Sequence, residues 1–239
     1  MPEILQNTSL SWYSLTMLAA ILLSAFYWLQ MSRDDALLPK VYFCALACAF
    51  VGAKLAYLVS EGWMHTGDDR WLHWLSGKSI TGALLGGYLG VEVFKKWFGY
   101  RKITGDRFAL IVPISIILGR FGCLSQGCCP GIACQLPAGI NRWPAVPMEI
   151  AFNVAAILVF IWLRRRRSQQ WQHFHLYLMA YGLFRFFHEF LRATPKPFAG
   201  MSGYQLIALA IALLGGVAYV RRKRTLRQDV KCSQPPASD

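Results

Sequence analysis

The chain has 239 residues, of which 55% are hydrophobic and only 15% charged, with a mean hydropathy of +0.35. A soluble domain carries nearer a quarter charged residues, so the composition excludes disorder, a coiled coil and most soluble enzymes, and predicts a surface that largely faces lipid. The net charge of +13 fits either a nucleic-acid binder or a membrane protein with cationic inner loops, and the placement of the charges decides between them.

A membrane helix needs about 20 mostly apolar residues. Seven segments answer that description: 10–31, 41–60, 79–94, 108–124, 147–163, 174–191 and 204–220. Segments three to six are the shorter ones, and four and six contain Arg120 and Arg185. The residues before the first segment include Glu3 and no Lys or Arg, so a signal-peptide n-region is missing and the segment reads as a retained helix. The expected architecture is all-α, a polytopic bundle of seven transmembrane helices forming one domain over 1–227. A polar, Pro- and Ser-containing stretch over 228–239 reads as a disordered cytoplasmic tail.

Orientation follows from Lys and Arg placement. With the N-terminus outside, the inner segments hold Arg33, Lys40, Lys95, Lys96, Arg101, Lys102, Arg107, the four arginines 164–167, Arg221, Arg222, Lys223, Arg224, Arg227 and Lys231. The outer segments hold Arg70, Lys78, Arg142, Arg192 and Lys196. Seventeen against five fixes an N-out, C-in topology. It also disposes of nucleic acid as a partner, since the charge sits in short loops at one membrane face.

Ionisable residues within membrane helices are costly and mark functional candidates. Tyr181, Arg185, Glu189 and Arg192 recur at i, i+4, i+8 and i+11, one face of segment six, where Arg185 and Glu189 can pair. A structural ion pair locking two helices is the competing reading. Arg120 lies in Gly119-Arg120-Phe121-Gly122-Cys123, near the outer end of segment four. The topology brings Arg120, Arg185 and Glu189 to one depth, and two guanidiniums there suit a phosphate, which in a membrane is a lipid headgroup. Arg120 and Arg185 are expected across one outward-opening cavity. Gly82, Gly86 and Gly90 have helix-packing spacing. Trp63, Trp71 and Trp74 read as interfacial anchors, Tyr13 as an interfacial aromatic, Lys54 as a snorkelling or paired cation, and His188 as structural.

The sequence at this point resembles the bacterial phosphatidylglycerol:prolipoprotein diacylglyceryl transferases, nearly end to end. Gly119-Arg120-Phe121-Gly122 is similar to the family's G-R-x-G, whose arginine is essential. Tyr181-Gly182-Leu183-Phe184-Arg185 with Glu189-Phe190-Leu191-Arg192 is similar to Y-G-x-F-R-x-x-x-E-F-x-R. Pro144 to Glu149 keeps the first Pro and last Glu of P-S-Q-L-Y-E, Trp12-Tyr13 matches a W-Y pair with a functional tyrosine, and Ser202-Gly203-Tyr204-Gln205 resembles S-M-G-Q. The resemblance implies seven helices, the N-out orientation, residence in the bacterial inner membrane, and transfer of diacylglycerol from phosphatidylglycerol to a lipobox cysteine. It assigns phosphate binding and charge stabilisation to Arg120 and Arg185, orientation of Arg185 to Glu189, and the substrate pocket to Tyr13, Thr81, Glu149, Tyr181, Glu189 and Arg192. It implies an anionic phospholipid and a prolipoprotein or other thiol acceptor as partners, and neither a cofactor nor a metal.

Three departures stand out. The family's histidine in H-G-G-L-x-G, its proposed base, is replaced by Thr81, a poor base. Only about a dozen residues separate Gly131 from Pro144, where the family carries its periplasmic head. The family follows G-R-x-G with Asn and then Asn-Gly-Glu; here Cys123 and Gln126-Gly127-Cys128 stand at those positions, and Cys123, Cys128 and Cys129, followed by Cys134, form a cysteine cluster. A disulfide, a zinc site and a thiolate nucleophile activated by Arg120 are the three readings, with adjacent cysteines an unusual zinc pattern. Cys123 and Cys128 are therefore counted with Arg120 and Arg185 as catalytic candidates. Cys44 and Cys48 read as small core residues. The alternatives to lipid transfer are a membrane thiol or redox enzyme using Cys123, Cys128 or Cys129 on the same scaffold, and a non-catalytic lipid-binding relative.

Overall fold

The computed structural model describes residues 12–33, 35–68, 70–137 and 140–232. Its helices are α1 (Trp12–Met31), α2 (Leu38–Ser60), α3 (Arg70–Ser76), α4 (Ile80–Trp97), α5 (Gly105–Ser125), α6 (Ala145–Arg165), α7 (His173–His188) and α8 (Gly203–Cys232). Two short strands, β1 (Ala133–Leu136) and β2 (Ile140–Arg142), pair antiparallel between α5 and α6. Each of the seven apolar segments of the sequence corresponds to one of the longer helices. The short α3 and the hairpin were not anticipated: seven residues and a pair of three- and four-residue strands are too brief to show a hydrophobic period.

Among the described residues, five of the seven longer helices are long and apolar enough to cross a membrane: α1, α2, α5, α6 and α8. The other two fall short for identifiable reasons. The 18 residues of α4 include Glu92, Lys95 and Lys96. α7 has only 16 residues, about 24 Å at 1.5 Å per residue, less than the ~30 Å hydrocarbon core. The expected continuous helix over 174–191 ends at His188, and Glu189–Leu191 tighten into a 3-10 turn. α8 runs past the apolar stretch, through Arg221 to Arg224, to Cys232; the remaining tail residues, 233–239, lie outside those described.

Small residues set the closest packing. Gly52 of α2 faces Gly82 and Gly86 of α4: a Cβ at Gly52 would sit 2.5 Å from the Gly82 carbonyl oxygen and 2.9 Å from the Gly86 Cα. Gly182 of α7 meets α8 in the same way, 2.6 Å from the Ala208 oxygen. Such approaches give van der Waals contact where lipid offers no hydrophobic drive between helices. A buried cluster of Ile116, Phe160, Phe174, Tyr177, Tyr181 and Ile211 joins α5 through α8. Outward-facing Phe26, Phe50, Leu158 and Leu213 are each more than half exposed, as expected of helices whose solvent is lipid.

α8 begins with a capping box. Ser202 Oγ accepts from the Gln205 backbone N–H at 3.2 Å, and Gln205 Oε1 accepts from the Ser202 N–H at 2.7 Å. Gln205 Nε2 also donates to the Phe186 carbonyl of α7. The Ser-Gly-Tyr-Gln stretch therefore docks α8 against the helix that carries Tyr181 and Arg185.

Candidate active site

The buried stripe of α7 runs His173, Phe174, Tyr177, Leu178, Tyr181, Gly182, Arg185 and His188, the i, i+3/i+4 repeat of one helical face. Its partner on α6 is Glu149 and Asn153, both fully buried. Tyr177 donates its hydroxyl to Asn153 Oδ1 at 2.8 Å, and Tyr181 donates to Glu149 Oε1 at 2.7 Å. Asn153 Nδ2 bonds to the Glu149 carbonyl. The two helices are thus joined by polar rungs that present one carboxylate beside the C-terminal end of the α7 stripe.

That carboxylate collects three guanidiniums. Arg120 Nη2 of α5 lies 2.7 Å from Glu149 Oε2, Arg185 Nη1 at 3.6 Å and Arg192 Nη1 at 3.7 Å. Glu189 forms the second centre, 2.8 Å from Arg185 Nη2 and 3.5 Å from Arg192 Nε. Thr194 Oγ1 donates to Glu189 Oε1 at 2.7 Å. All five charged side chains are at most 7% exposed. The Arg185–Glu189 pair predicted from the spacing is present. That Glu149 sits between all three arginines is not legible from spacing, because residues on α5, α6 and the end of α7 meet only in the fold.

Three arginines against two glutamates leave one net positive charge in a buried setting. Arg120 Nε and Arg185 Nε have no hydrogen-bond partner among the described residues, whereas Arg185 Nη1, Arg192 Nη1 and Arg192 Nε face the Glu149 and Glu189 carboxylates at 3.5–3.7 Å. Guanidiniums pair with carboxylate and phosphate in the same planar geometry, so a buried cluster with one surplus cation suits a further anion. Arg120 and Arg185 do converge, but Glu149 stands between them. The large cavity alongside, of about 790 Å³, touches α5 at Ser115, Ile116 and Gly119 rather than at Arg120. Its walls are mainly apolar, from Met17, Trp28 and Leu84 among others, and its lining includes the cations Lys95, Arg221 and Arg222.

The loop after α5 closes over the arginines. Its backbone is tied to the end of α7, from the Ile132 N–H to the Leu191 carbonyl and from the Ala193 N–H to the Pro130 carbonyl. Trp143 Nε1 donates to His188 Nε2 at 3.3 Å. Cys123 and Cys129 lie against the same Arg120, with Nη1 3.7 Å and 3.6 Å from their sulfurs. The Cys129 thiol, in the loop beyond the helix, is held well below the ordinary thiol range, first by a hydrogen bond from Cys123 and then by the Arg120 and Arg192 charges, against burial. Cys128 is exposed on this loop. Cys134 lies in β1.

Thr81 is buried in the first turn of α4, where its hydroxyl meets Ser79 Oγ at 2.8 Å. Ser79 in turn caps α4 by accepting from the Gly82 N–H. Among the described residues Thr81 makes no hydrogen bond to the arginines. Tyr13 begins α1, and its side chain lies outside those described. Of the candidates from sequence, Arg120, Arg185, Glu149, Tyr181, Glu189 and Arg192 share one network, with Cys123 at its edge. Reasoning from sequence missed Asn153 and Tyr177, whose only signal was their position on the buried stripe.

Comparison with known proteins fits this site. A family profile described as prolipoprotein diacylglyceryl transferase matches residues 2–221. The chain is similar to a phosphatidylglycerol–prolipoprotein diacylglyceryl transferase of Gloeobacter violaceus, 28% identical over 91% of both chains. It is also similar to proteins of the same name from Leifsonia xyli (27% identical, covering 86% of this chain and 72% of that one) and Clostridium perfringens (29%, 70% and 71%). With a match over nearly its whole length, the chain belongs to the prolipoprotein diacylglyceryl transferase family.

Proposed function

We propose that the protein moves a diacylglyceryl group from phosphatidylglycerol to a thiol acceptor, with a prolipoprotein cysteine as the first acceptor to test. The observation that carries the reading is the buried Arg120–Arg185–Arg192 cluster, three cations against Glu149 and Glu189, with one net positive charge. In the reaction the acceptor sulfur attacks the glyceryl carbon next to the phosphate. The carbon–oxygen bond breaks, its electrons pass to the phosphate oxygen, and glycerol phosphate leaves with one more negative charge than the donor phosphate carried. Guanidiniums fixed in a dry site stabilise that developing charge without reorganising. Glu149 and Glu189 hold them in place, and the apolar cavity beside Gly119 offers room for acyl chains.

The acceptor thiol must lose a proton, and Thr81 has no accessible pKa for taking it. His188 is the nearest imidazole to the cluster, but its Nε2 already accepts from Trp143. Movement of Trp143 is required before His188 can act as base.

The finer architecture belongs to the same reading. All seven longer helices span the bilayer, the N-terminus faces out and the C-terminus lies in the cytoplasm of a bacterial inner membrane. The seventeen-to-five bias of Lys and Arg supports it. α4 and α7 then cross as the short, partly charged members, covered by α2 and α8.

The test is purified protein in phosphatidylglycerol vesicles with a lipobox peptide, measuring glycerol phosphate release and thioether on the peptide together. Arg185→Lys keeps the charge and loses the planar fork, and is expected to reduce turnover on the order of 30-fold, about 2 kcal/mol. Wild-type protein that releases no glycerol phosphate in the presence of acceptor overturns the reading.

A further inference from the structure

The backbone at the end of α5 gathers three thiols by a defined device. Gln126 caps the helix, and Gly127 follows in the left-handed region at φ +60°. The Gly127 N–H bonds to the Leu124 carbonyl, and the Cys128 N–H reaches back to the Cys123 carbonyl at 3.2 Å. This is the paired bonding of a Schellman terminus. It folds Cys128 over Cys123. Cys129 then also takes a left-handed conformation, φ +62°, which a side chain bearing a Cβ disfavours. A strained non-glycine residue persists where its surroundings hold it, and such positions concentrate at functional sites.

The result is that the Cys123, Cys128 and Cys129 sulfurs all lie within 4.8 Å of one another. A metal–sulfur bond of about 2.3 Å places three sulfurs about 4.0 Å apart around one trigonal cation, so closure needs shifts of under ~1 Å. Thiolates select soft cations. The site also has an outer layer, since Arg120 Nη1 points N–H groups at the Cys123 and Cys129 sulfurs. Donors of that kind orient metal-bound thiolates and offset their charge.

We propose that Cys123, Cys128 and Cys129 form a three-thiolate site for a soft d10 cation, copper(I) before zinc(II). The coordination number decides the order. Cys134 is not in the cluster, and among the described residues no His, Asp or Glu joins the three sulfurs. Copper(I) is satisfied by three thiolates, whereas zinc requires a fourth ligand from solvent. Binding is by charge attraction and sulfur donation, with thiol protons released to solvent and no electron transferred. Because Arg120 touches both this cluster and Glu149, the bound cation sits one side chain away from the arginine network. The inference stands independently of the transfer reaction.

The full-length protein, reduced and in detergent under nitrogen, is titrated with copper(I) against bicinchoninate and with zinc(II) against a chromophoric chelator. One copper(I) per chain, with three sulfurs near 2.3 Å by X-ray absorption, is the expected result. Cys129→Ser and the exposed Cys128→Ser should each weaken binding at least 100-fold, while Cys134→Ser leaves it unchanged. Each variant is first shown to be monodisperse and to unfold at the parent temperature, and Cys128→Ser, whose side chain is the most exposed of the three, is the one least able to disturb the fold. Tight zinc with no copper retention overturns the choice of copper. Three freely alkylated thiols in the presence of either metal, or a disulfide between any two of them in protein isolated without reductant, overturns the site.

Discussion

Glu149 holds the charge balance of the arginine cluster, because three guanidiniums approach its Oε2 within 3.7 Å. Replacing it with Gln keeps the shape and can still accept from Tyr181, but leaves Arg120 without its carboxylate and Arg185 and Arg192 with Glu189 alone. Removing one partner of a buried ion pair costs about 3–5 kcal/mol, and Glu149→Gln should lower stability by that order in detergent unfolding. Adding Arg192→Met to it should recover part of the loss, since the surplus charge is removed. A Glu149→Gln protein as stable as the parent would show that the guanidiniums are not held by this carboxylate. Asp35, between α1 and α2, behaves differently. The hydrogen bond it accepts from Lys102, 2.9 Å, holds the carboxyl below its ordinary value against burial, and one from Tyr100 adds to the lowering. A depressed carboxyl contributes stability above its unfolded value of about 3.9 and loses it as pH falls through the lower folded value. The stability gap between wild type and Asp35→Asn should therefore be constant above about pH 5 and close below about pH 4. It should be small, because Lys102 is largely exposed.

At the scale of elements, α2 and α4 depend on having no side chain at their crossing. A Cβ at Gly86 would meet the Cys48 carbonyl oxygen and lie 3.0 Å from the Gly52 Cα, so Gly86→Val must push the helices apart. Overpacking of this kind costs about 1–3 kcal/mol. The expected outcome is a drop in unfolding temperature of the purified protein. Gly216→Ala on α8, which has nothing within 4 Å of its Cβ position, should be neutral or slightly stabilising because alanine favours helix. Equal losses at both positions would remove close packing as the explanation. The α2–α4 pair also carries the short α4 with its Glu92, Lys95 and Lys96, and a helix of that composition relies on neighbours to shield it in a bilayer.

For the whole molecule, the proposed topology puts the arginine network near the outer face and the cationic ends of α6 and α8 at the inner one. A periplasm-active reporter fused after Asp239 should be silent, while a cytoplasm-active one at the same place should report strongly. A periplasmic signal there would place the arginine network on the cytoplasmic side and require a different donor leaflet. The seventeen-to-five distribution of Lys and Arg makes the silent outcome the expected one.

The sequence by itself determined the membrane class, the all-helical architecture, seven apolar segments and the family motifs. Those properties are local or additive: an apolar run, a charge bias and a motif such as Gly-Arg-Phe-Gly can be read one stretch at a time. It also yielded the Arg185–Glu189 pair, since residues four apart on a helix are neighbours whatever the fold. Only the tertiary structure decided that Glu149 is the centre of the cluster and that Asn153 and Tyr177 brace it. Those depend on which faces of α5, α6 and α7 meet, and helical periodicity leaves that rotation and pairing open. The cysteines fall between the two cases. Their spacing is visible in the chain, but a spacing of five and one brings three sulfurs together only because a left-handed glycine turn ends α5 at Gly127 and returns the backbone over Cys123.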